Sequence, residues 1–497
     1  MKSNPPDTPD RSEKSERQSS GWDIRNAPRN YAALIGFQAG SAAFSFGAVW
    51  LVTQYLGPDG FGGIIAIIAA SQVAQVLVNW TSVAVVRFGV EEFIEGRTIA
   101  RVFWVRLIAL VVNLAIVLAT ATLWFPPLAG WLKLPAETFW LVLAHFAATA
   151  FWIHIQMSLQ AVKMPLVQGL LQMIERLLIL TGVVILLIAQ SLSGTAAMAC
   201  FVIAPALMAV AGFVYLRPFL FARFAVDTAF VRKVLAYSVP LVPFYLVGYF
   251  AGSYVDAIFV TNYLSTSDLG IYSVATQIAA IAIQLPTLAN TLLLPLFITL
   301  QSESQSERSF NYFRNILPGL TLVWGLACAA LAFVMYFAIP LVFGIEYAPA
   351  TQPLWILLVA SVAAIPVAVG YSPITNSTSK TYIATVAAVA AAAANISTNA
   401  LLIPRYGLIG CAFATLIAVL AGTLVYAVML KTTTGVPFSW NLLAVVPSLA
   451  SALLIVAFPN PIWAGLLCLV ISLCFAFVFR SSVMKAVEAL SIFKRTA

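Results

Sequence analysis

Residues 55–63 read YLGPDGFGG, a turn with four glycines and a proline set between two mostly apolar segments of more than twenty residues each. Gly57-Pro58 stops one helix, because proline cannot continue the hydrogen-bond ladder of the residues before it. Gly60 and Gly62 let the next helix start in close contact with a neighbour. Two apolar helices of that length each cross a hydrocarbon layer of about 30 Å, so the stretch is a hairpin between membrane spans. A related stretch, YLSTSDLGIY, stands at 263–272, 208 positions further on: Tyr55-Leu56 and Phe61-Gly62 align with Tyr263-Leu264 and Leu269-Gly270.

The rest of the chain fits a membrane reading. Of its 497 residues, 62% are hydrophobic and only 9% charged, against about 25% charged in soluble domains. So little polar surface cannot cover so much apolar surface, and lipid must be the solvent. Residues 1–30 are the exception. They carry eleven charges and no apolar run, which predicts a disordered cytoplasmic tail and no cleaved signal peptide. Cys200, Cys328, Cys411, Cys468 and Cys474 lie scattered in apolar stretches without a CxxC or a histidine cluster. Neither a disulfide framework nor a metal or cofactor site is expected from them.

Fourteen apolar runs are long enough to span: 31–56, 62–86, 102–124, 138–160, 164–189, 194–216, 234–262, 268–300, 314–343, 353–372, 379–402, 408–430, 441–458 and 461–480. Pro286 and Pro295 predict a kink in the eighth. With the N-terminus inside, 22 of the 26 Lys and Arg residues fall on the inner side, Lys133 and Arg405 fall outside, and Arg106 and Arg176 lie within spans. That split follows the positive-inside rule and puts both termini in the cytoplasm. It also assigns the net charge of +8 to an anionic leaflet and not to nucleic acid.

The repeat divides the chain. Each glycine turn joins the first two spans of a six-span block, 31–216 and 234–430, linked by an amphipathic segment at 217–233 and followed by two further helices in 431–480 and an amphipathic cytoplasmic tail at 481–497. An even number of spans gives the blocks parallel topology, as in transporters that rock two lobes around a central cavity. The expected fold is all-α and integral to the membrane: two six-helix lobes plus two C-terminal helices.

Four segments carry a family resemblance. YLGPDGFGGIIAIIAA (55–70) resembles the loop after the first helix of polysaccharide flippases in the multidrug/oligosaccharidyl-lipid/polysaccharide exporter superfamily. VDAIFVTNYLSTSDLGIYSVATQIA (255–279), FGIEYAPATQPLWILL (343–358) and NISTNALLIPRYGLIGCAFAT (395–415) are similar to later helix junctions of the same proteins, in the same order. The resemblance covers roughly 30–430. It implies a V-shaped protein of the bacterial inner membrane that moves undecaprenyl-diphosphate-linked oligosaccharide between leaflets, with membrane lipids and the polysaccharide polymerase machinery as partners. The two extra spans look more like the lipid II flippase branch or fourteen-span exopolysaccharide flippases.

A diphosphate-linked glycan needs a hydrated cavity with cationic groups. Gln168, Gln172 and Arg176 recur every four residues and share one helix face, as do Gln156 and Gln160, and Gln75 and Asn79. Tyr249 adds a ring for sugar stacking. Arg176 is the sharpest candidate, since a mid-membrane charge costs at least about 2.5–3.5 kcal/mol and faces an interior or water, and a guanidinium grips phosphate bidentately. Glu175, next to it in sequence, is a poor partner on the same helix. Arg87 and Arg106 are expected at the inner mouth, and Asp256 and Glu175 are candidates for coupling to a cation or proton. His154 reads as a packing histidine.

A cation-coupled multidrug extruder of the same superfamily is the alternative, as is a lipid II flippase. Extruders typically carry an acid in the first helix, where this chain has Gln38. An embedded polymerase or ligase would need a large outer loop, and no outer connection exceeds about a dozen residues, so no enzyme is expected. No GxxxxGK[ST] occurs to bind ATP.

Overall fold

The computed structural model describes residues 27–221, 227–239, 242–250, 253–302, 306–377, 380, 382–458 and 461–485. The tail before residue 27, part of the linker and the tail from 486 onward lie outside the described residues. Those described are helical throughout their ordered elements, with no strand among them. Nine helices among them are long and apolar enough to cross a membrane.

Two of the nine are bent back on themselves. Helix α1 (Ala27–Asn79) breaks at Gly57, whose φ of 66° lies in the left-handed region, where glycine carries no steric penalty. Its first arm runs alongside α6 (Pro165–Ile188): Gly40 meets Met173 and Gly47 meets Leu180. Its second arm runs alongside α5 (Phe139–Ala161): Ser71 bonds His145, and Gln75 bonds the Phe146 carbonyl. A three-residue turn joins α5 to α6, so those two run in opposite directions and the arms of α1 do too. The YLGPDGFGG turn is therefore a hairpin, as its glycines and proline require. The helix Tyr382–Thr434, designated α16 below, repeats the device at Gly407, φ 57°. Gly422 packs on Ala387 and Ala391, which places its second arm antiparallel to its first.

Counting each hairpin as two gives eleven apolar arms. Between α1 and α5 come α2 (Ser82–Gly96), α3 (Ala100–Ala119) and the short α4 (Ala121–Trp131), and α7 (Gly194–Leu220) follows α6. The linker contributes α8 (Thr228–Ser238), whose Phe230 and Val234 are buried against the first half. The second half opens with α9 (Val242–Phe250), α10 (Ser253–Tyr263) and α11 (Thr266–Ser302), which holds both Pro286 and Pro295. Then come α12 (Ser306–Asn311), α13 (Leu317–Phe343), α14 (Thr351–Pro366), α15 (Ser372–Ser377) and α16. The C-terminal addition is α17 (Ser439–Leu443), α18 (Val446–Ala457) and α19 (Pro461–Val478).

The two related glycine turns meet. A Cβ built on Gly62 would lie 1.9 Å from the Thr266 carbonyl oxygen, and one on Gly270 would lie 2.0 Å from the Pro58 carbonyl oxygen. Thr266 follows Pro58, and Gly270 follows Gly62, by the same 208 positions. The contact is thus reciprocal, as across a two-fold axis, and leaves no room for any side chain. One buried apolar cluster surrounds it and draws on both halves, including Val52, Phe61, Ile64 and Ala70 with Val260, Leu269, Tyr272 and Ala275.

At the opposite end the halves have separate cores. Phe88, Phe103, Leu159 and Leu216 form one with Phe230 and Val234 of α8. Phe297, Phe313, Tyr371 and Tyr426 form another. Neither takes a member from the other half among the described residues. Among the described residues the halves are thus fused at the Gly57 end and packed separately at the other.

Candidate functional site

The closed end is fastened by side chains of the first half that donate to exposed helix ends of the second. The last four carbonyls of a helix have no partner within it. Trp50 Nε1 and Gln54 Nε2 both donate to the Val342 carbonyl, at 2.8 and 2.7 Å, at the end of α13. Lys133 Nζ donates to the Leu264 carbonyl at 2.6 Å, just past α10. A cation at a helix C-terminus is also favoured by the helix dipole. These bonds exist only while the two halves touch here.

Deeper in the first half, α5 and α6 present the expected polar faces. Gln156, Gln160, Gln168 and Gln172 are each partly exposed, and the Arg176 side chain retains 42% of its exposure. Arg176 Nη2 lies 3.9 Å from Glu175 Oε1, so the neighbour judged a poor partner from sequence does approach it: a guanidinium on four rotatable bonds reaches back where a short side chain would not. Glu175 is itself buried and held by Trp152 Nε1, which donates to Oε2 at 2.8 Å. Glu175 is thus a brace between Trp152 and Arg176. His145 and, from the second half, Tyr254 of α10 lie within electrostatic reach of Arg176. Tyr249 of α9 is half-buried near Tyr254.

Three expected site residues go elsewhere. Gln75 and Asn79 are buried, 4% and 9% exposed. Gln75 donates to the Phe146 carbonyl and to Thr149, Asn79 donates to Gln75 Oε1 at 2.6 Å, and Arg106 Nη2 donates to Asn79 Oδ1 at 3.2 Å. Arg106, expected at the inner mouth, is wholly buried. The reason is the cost of an unsolvated guanidinium: the polar chain of α1, α3 and α5 supplies Arg106 with an acceptor inside the bundle. Arg87 is exposed and pairs with Glu91 one turn on, at 3.5 Å. His154 is buried with its ring 4.4 Å from Phe103, as a packing histidine.

In the second half Asp256 is 2% exposed and fully engaged. Asn399 and Asn395 donate to Oδ1 at 2.8 and 3.2 Å, and Thr415 donates to Oδ2 at 3.0 Å. Tyr272 of α11 lies 3.4 Å from Thr415. The group joins α10, α11 and both arms of α16 through neutral donors alone. Sequence reading singled out Asp256 and missed its partners, although Asn395 and Asn399 stand one helical turn apart. Among the described residues no cluster of three His, Cys, Asp or Glu side chains is placed to hold a metal ion.

Residues 28–301, more than half of the chain, match the model of the polysaccharide biosynthesis protein family. This chain belongs to that family. Among solved structures it is similar to the lipid II flippase MurJ in an inward closed conformation, with TM-score 0.65, 18% identity, and coverage of 91% of this chain and 100% of that one. It is also similar to a multidrug resistance MATE family transporter of the MOP superfamily in an inward-facing conformation, with TM-score 0.60, 14% identity, and coverage of 82% and 95%. At those identities the likeness is one of fold. No curated protein matches the chain by sequence. The chain is thus a multi-pass membrane protein of the polysaccharide biosynthesis family whose fold is shared with flippases and transporters.

Proposed function

We propose that this chain carries undecaprenyl-diphosphate-linked oligosaccharide from the inner to the outer leaflet of the bacterial cytoplasmic membrane, by alternating access of two six-span lobes within a fourteen-span protein whose termini are both cytoplasmic. The carrying observation is the asymmetry of packing: the halves share a core and cross-capping bonds at the Gly57 end and have separate cores at the other. A cleft between the separately packed ends admits a polar head group from one side while the lipid tail stays in the bilayer. The basic inner surface sets its direction.

In this reading Arg176, with Gln168, Gln172, Gln156 and Gln160, faces the diphosphate and sugars, Tyr249 lines the path, and Arg87 stands at the inner mouth. Asp256 takes the coupling cation or proton. Glu175 holds Arg176. The protein acts as a transporter without catalysis, and the polymerase machinery that consumes the flipped oligosaccharide is its downstream partner. The lipid II flippase reading has one supporting observation, the likeness to MurJ along that chain's full length, and it differs in the glycan carried.

The test is a strain lacking its own polysaccharide flippase, scored for surface polymer at equal membrane abundance of each variant. Wild type is expected to restore the polymer. Arg176→Ala is expected to lower it at least about tenfold, the loss of one charge-assisted contact to phosphate, and Arg176→Lys is expected to recover only part. Restoration of a lipid II-flippase deletion instead would select the peptidoglycan substrate. Full polymer with Arg176→Ala would remove that residue from the path.

A further inference from the structure

A cavity lies where α2, α3 and the linker helix α8 meet, at the end of the first half away from Gly57. It holds about 280 Å³ and is lined by Phe88, Glu91, Glu92, Glu95, Arg101, Asp227, Ala229, Phe230 and Lys233. Its charges are of both signs, yet neither Arg101 nor Lys233 forms an ion pair with a carboxylate among the described residues. Each rests on a ring: the Arg101 guanidinium 4.3 Å above Phe230, the Lys233 ammonium 5.0 Å above Phe88. The acids are unevenly committed. Glu92 accepts the amides of Arg101 and Val102 and caps α3, Glu91 pairs with Arg87, and one oxygen of Asp227 caps α8 through Ala229. Glu95 and the second oxygen of Asp227 remain for a ligand.

We propose that this cavity binds the head group of an aminoalkyl phosphate, with phosphate on Arg101 and Lys233 and a primary ammonium on Glu95 and Asp227. Opposite charges lining one cavity without collapsing into pairs are what a zwitterion bridges. The acidic excess favours a ligand with a true N–H donor, because charge-assisted hydrogen bonds are the strong ones. A choline head would instead seek aromatic faces, and both faces here are already covered by cations. The place fits a lipid. Nearby, α3 begins at Ala100 and α7 ends at Leu220, where Ile99 bonds the Phe219 carbonyl and Trp104 the Leu220 carbonyl, so the apolar helices stop at this level. A ligand there ties the linker helix to the first half.

Full-length protein in detergent micelles is incubated with lipids of identical chains bearing ethanolamine, choline or glycerol head groups, and retained lipid is read by native mass spectrometry. Wild type is expected to retain the ethanolamine lipid preferentially, and Glu95→Gln combined with Lys233→Gln to lower that retention about tenfold with the others unchanged. Both side chains are exposed, and an unaltered unfolding temperature checks the fold. Glycerophosphoethanolamine separates the sources: competition by it shows that the head group alone is read and that a water-borne ligand suffices, whereas lipid retention without competition assigns the site to the bilayer. Equal retention of all three lipids, or retention indifferent to the double variant, overturns the proposal.

Discussion

Leucine at position 62 is expected to leave the protein in the membrane at normal abundance and to abolish polymer export. Gly62 and Gly270 cross at backbone contact, and even one added carbon would stand 1.9 Å from the Thr266 carbonyl oxygen. That oxygen belongs to a helix and cannot swing aside, so the two hairpins must part. Overpacking of this kind costs about 1–3 kcal/mol, which lowers the population of the closed Gly57 end about five- to 150-fold. On the proposed function, a transporter held open at that end no longer returns to load substrate. Labelling by a membrane-impermeant thiol reagent reports the parting: Ala66→Cys lies in the shared core, wholly buried, and should react from outside only when Gly62→Leu is also present. By the reciprocity of the contact, Gly270→Leu should behave alike. Full export with unreactive Ala66→Cys would mean that the crossing is packing and not a gate.

The hairpin at Gly57 was legible in the sequence, because it depends on chemistry local to nine residues: proline ends a helix, and glycine permits both a left-handed turn and close approach; that the two related hairpins meet was not. That the chain crosses a membrane many times followed from composition in the same way, although nine apolar helices, eleven arms with each hairpin counted as two, are found among the described residues where fourteen spans were expected. The interior was less legible. Spacing of four residues tells which side chains share a face but not what lies opposite, so Gln75 and Asn79 resembled Gln168 and Gln172 in sequence yet face α5 and α3. Arg106 illustrates the same limit, for nothing near it in sequence announces that Asn79, 27 residues away, will accept its hydrogen bond. The Glu175–Arg176 approach was missed for the opposite reason, a rule about backbone directions applied to a side chain long enough to escape it.

The same reasoning bears on how the two halves differ. The first half buries its polar chain around a cation, Arg106, and leaves a second cation, Arg176, part-exposed. The second half buries an anion, Asp256, among neutral donors. On the proposed function, a diphosphate substrate and a coupling cation or proton carry opposite charge, and each would find its complement in a different half.

Asn in place of Asp256 is therefore expected to separate folding from transport. The substituted amide keeps one accepting oxygen for Asn399 and Asn395, and its NH₂ group faces Thr415, whose hydroxyl can turn from donor to acceptor. The hydrogen-bond group linking α10 to α16 survives, and the unfolding temperature should stay close to that of wild type. The negative charge does not survive. If Asp256 binds the coupling ion, Asp256→Asn abolishes polymer export and removes any dependence of uptake on a sodium or proton gradient in reconstituted vesicles. Asp256→Ala should do more: it removes the acceptor shared by two buried amides, Asn395 and Asn399, at a cost of about 1–3 kcal/mol, and so lowers the unfolding temperature as well as transport. Wild-type export with Asp256→Asn, beside a destabilised Asp256→Ala, would show that the group is a clamp between helices and that coupling resides elsewhere.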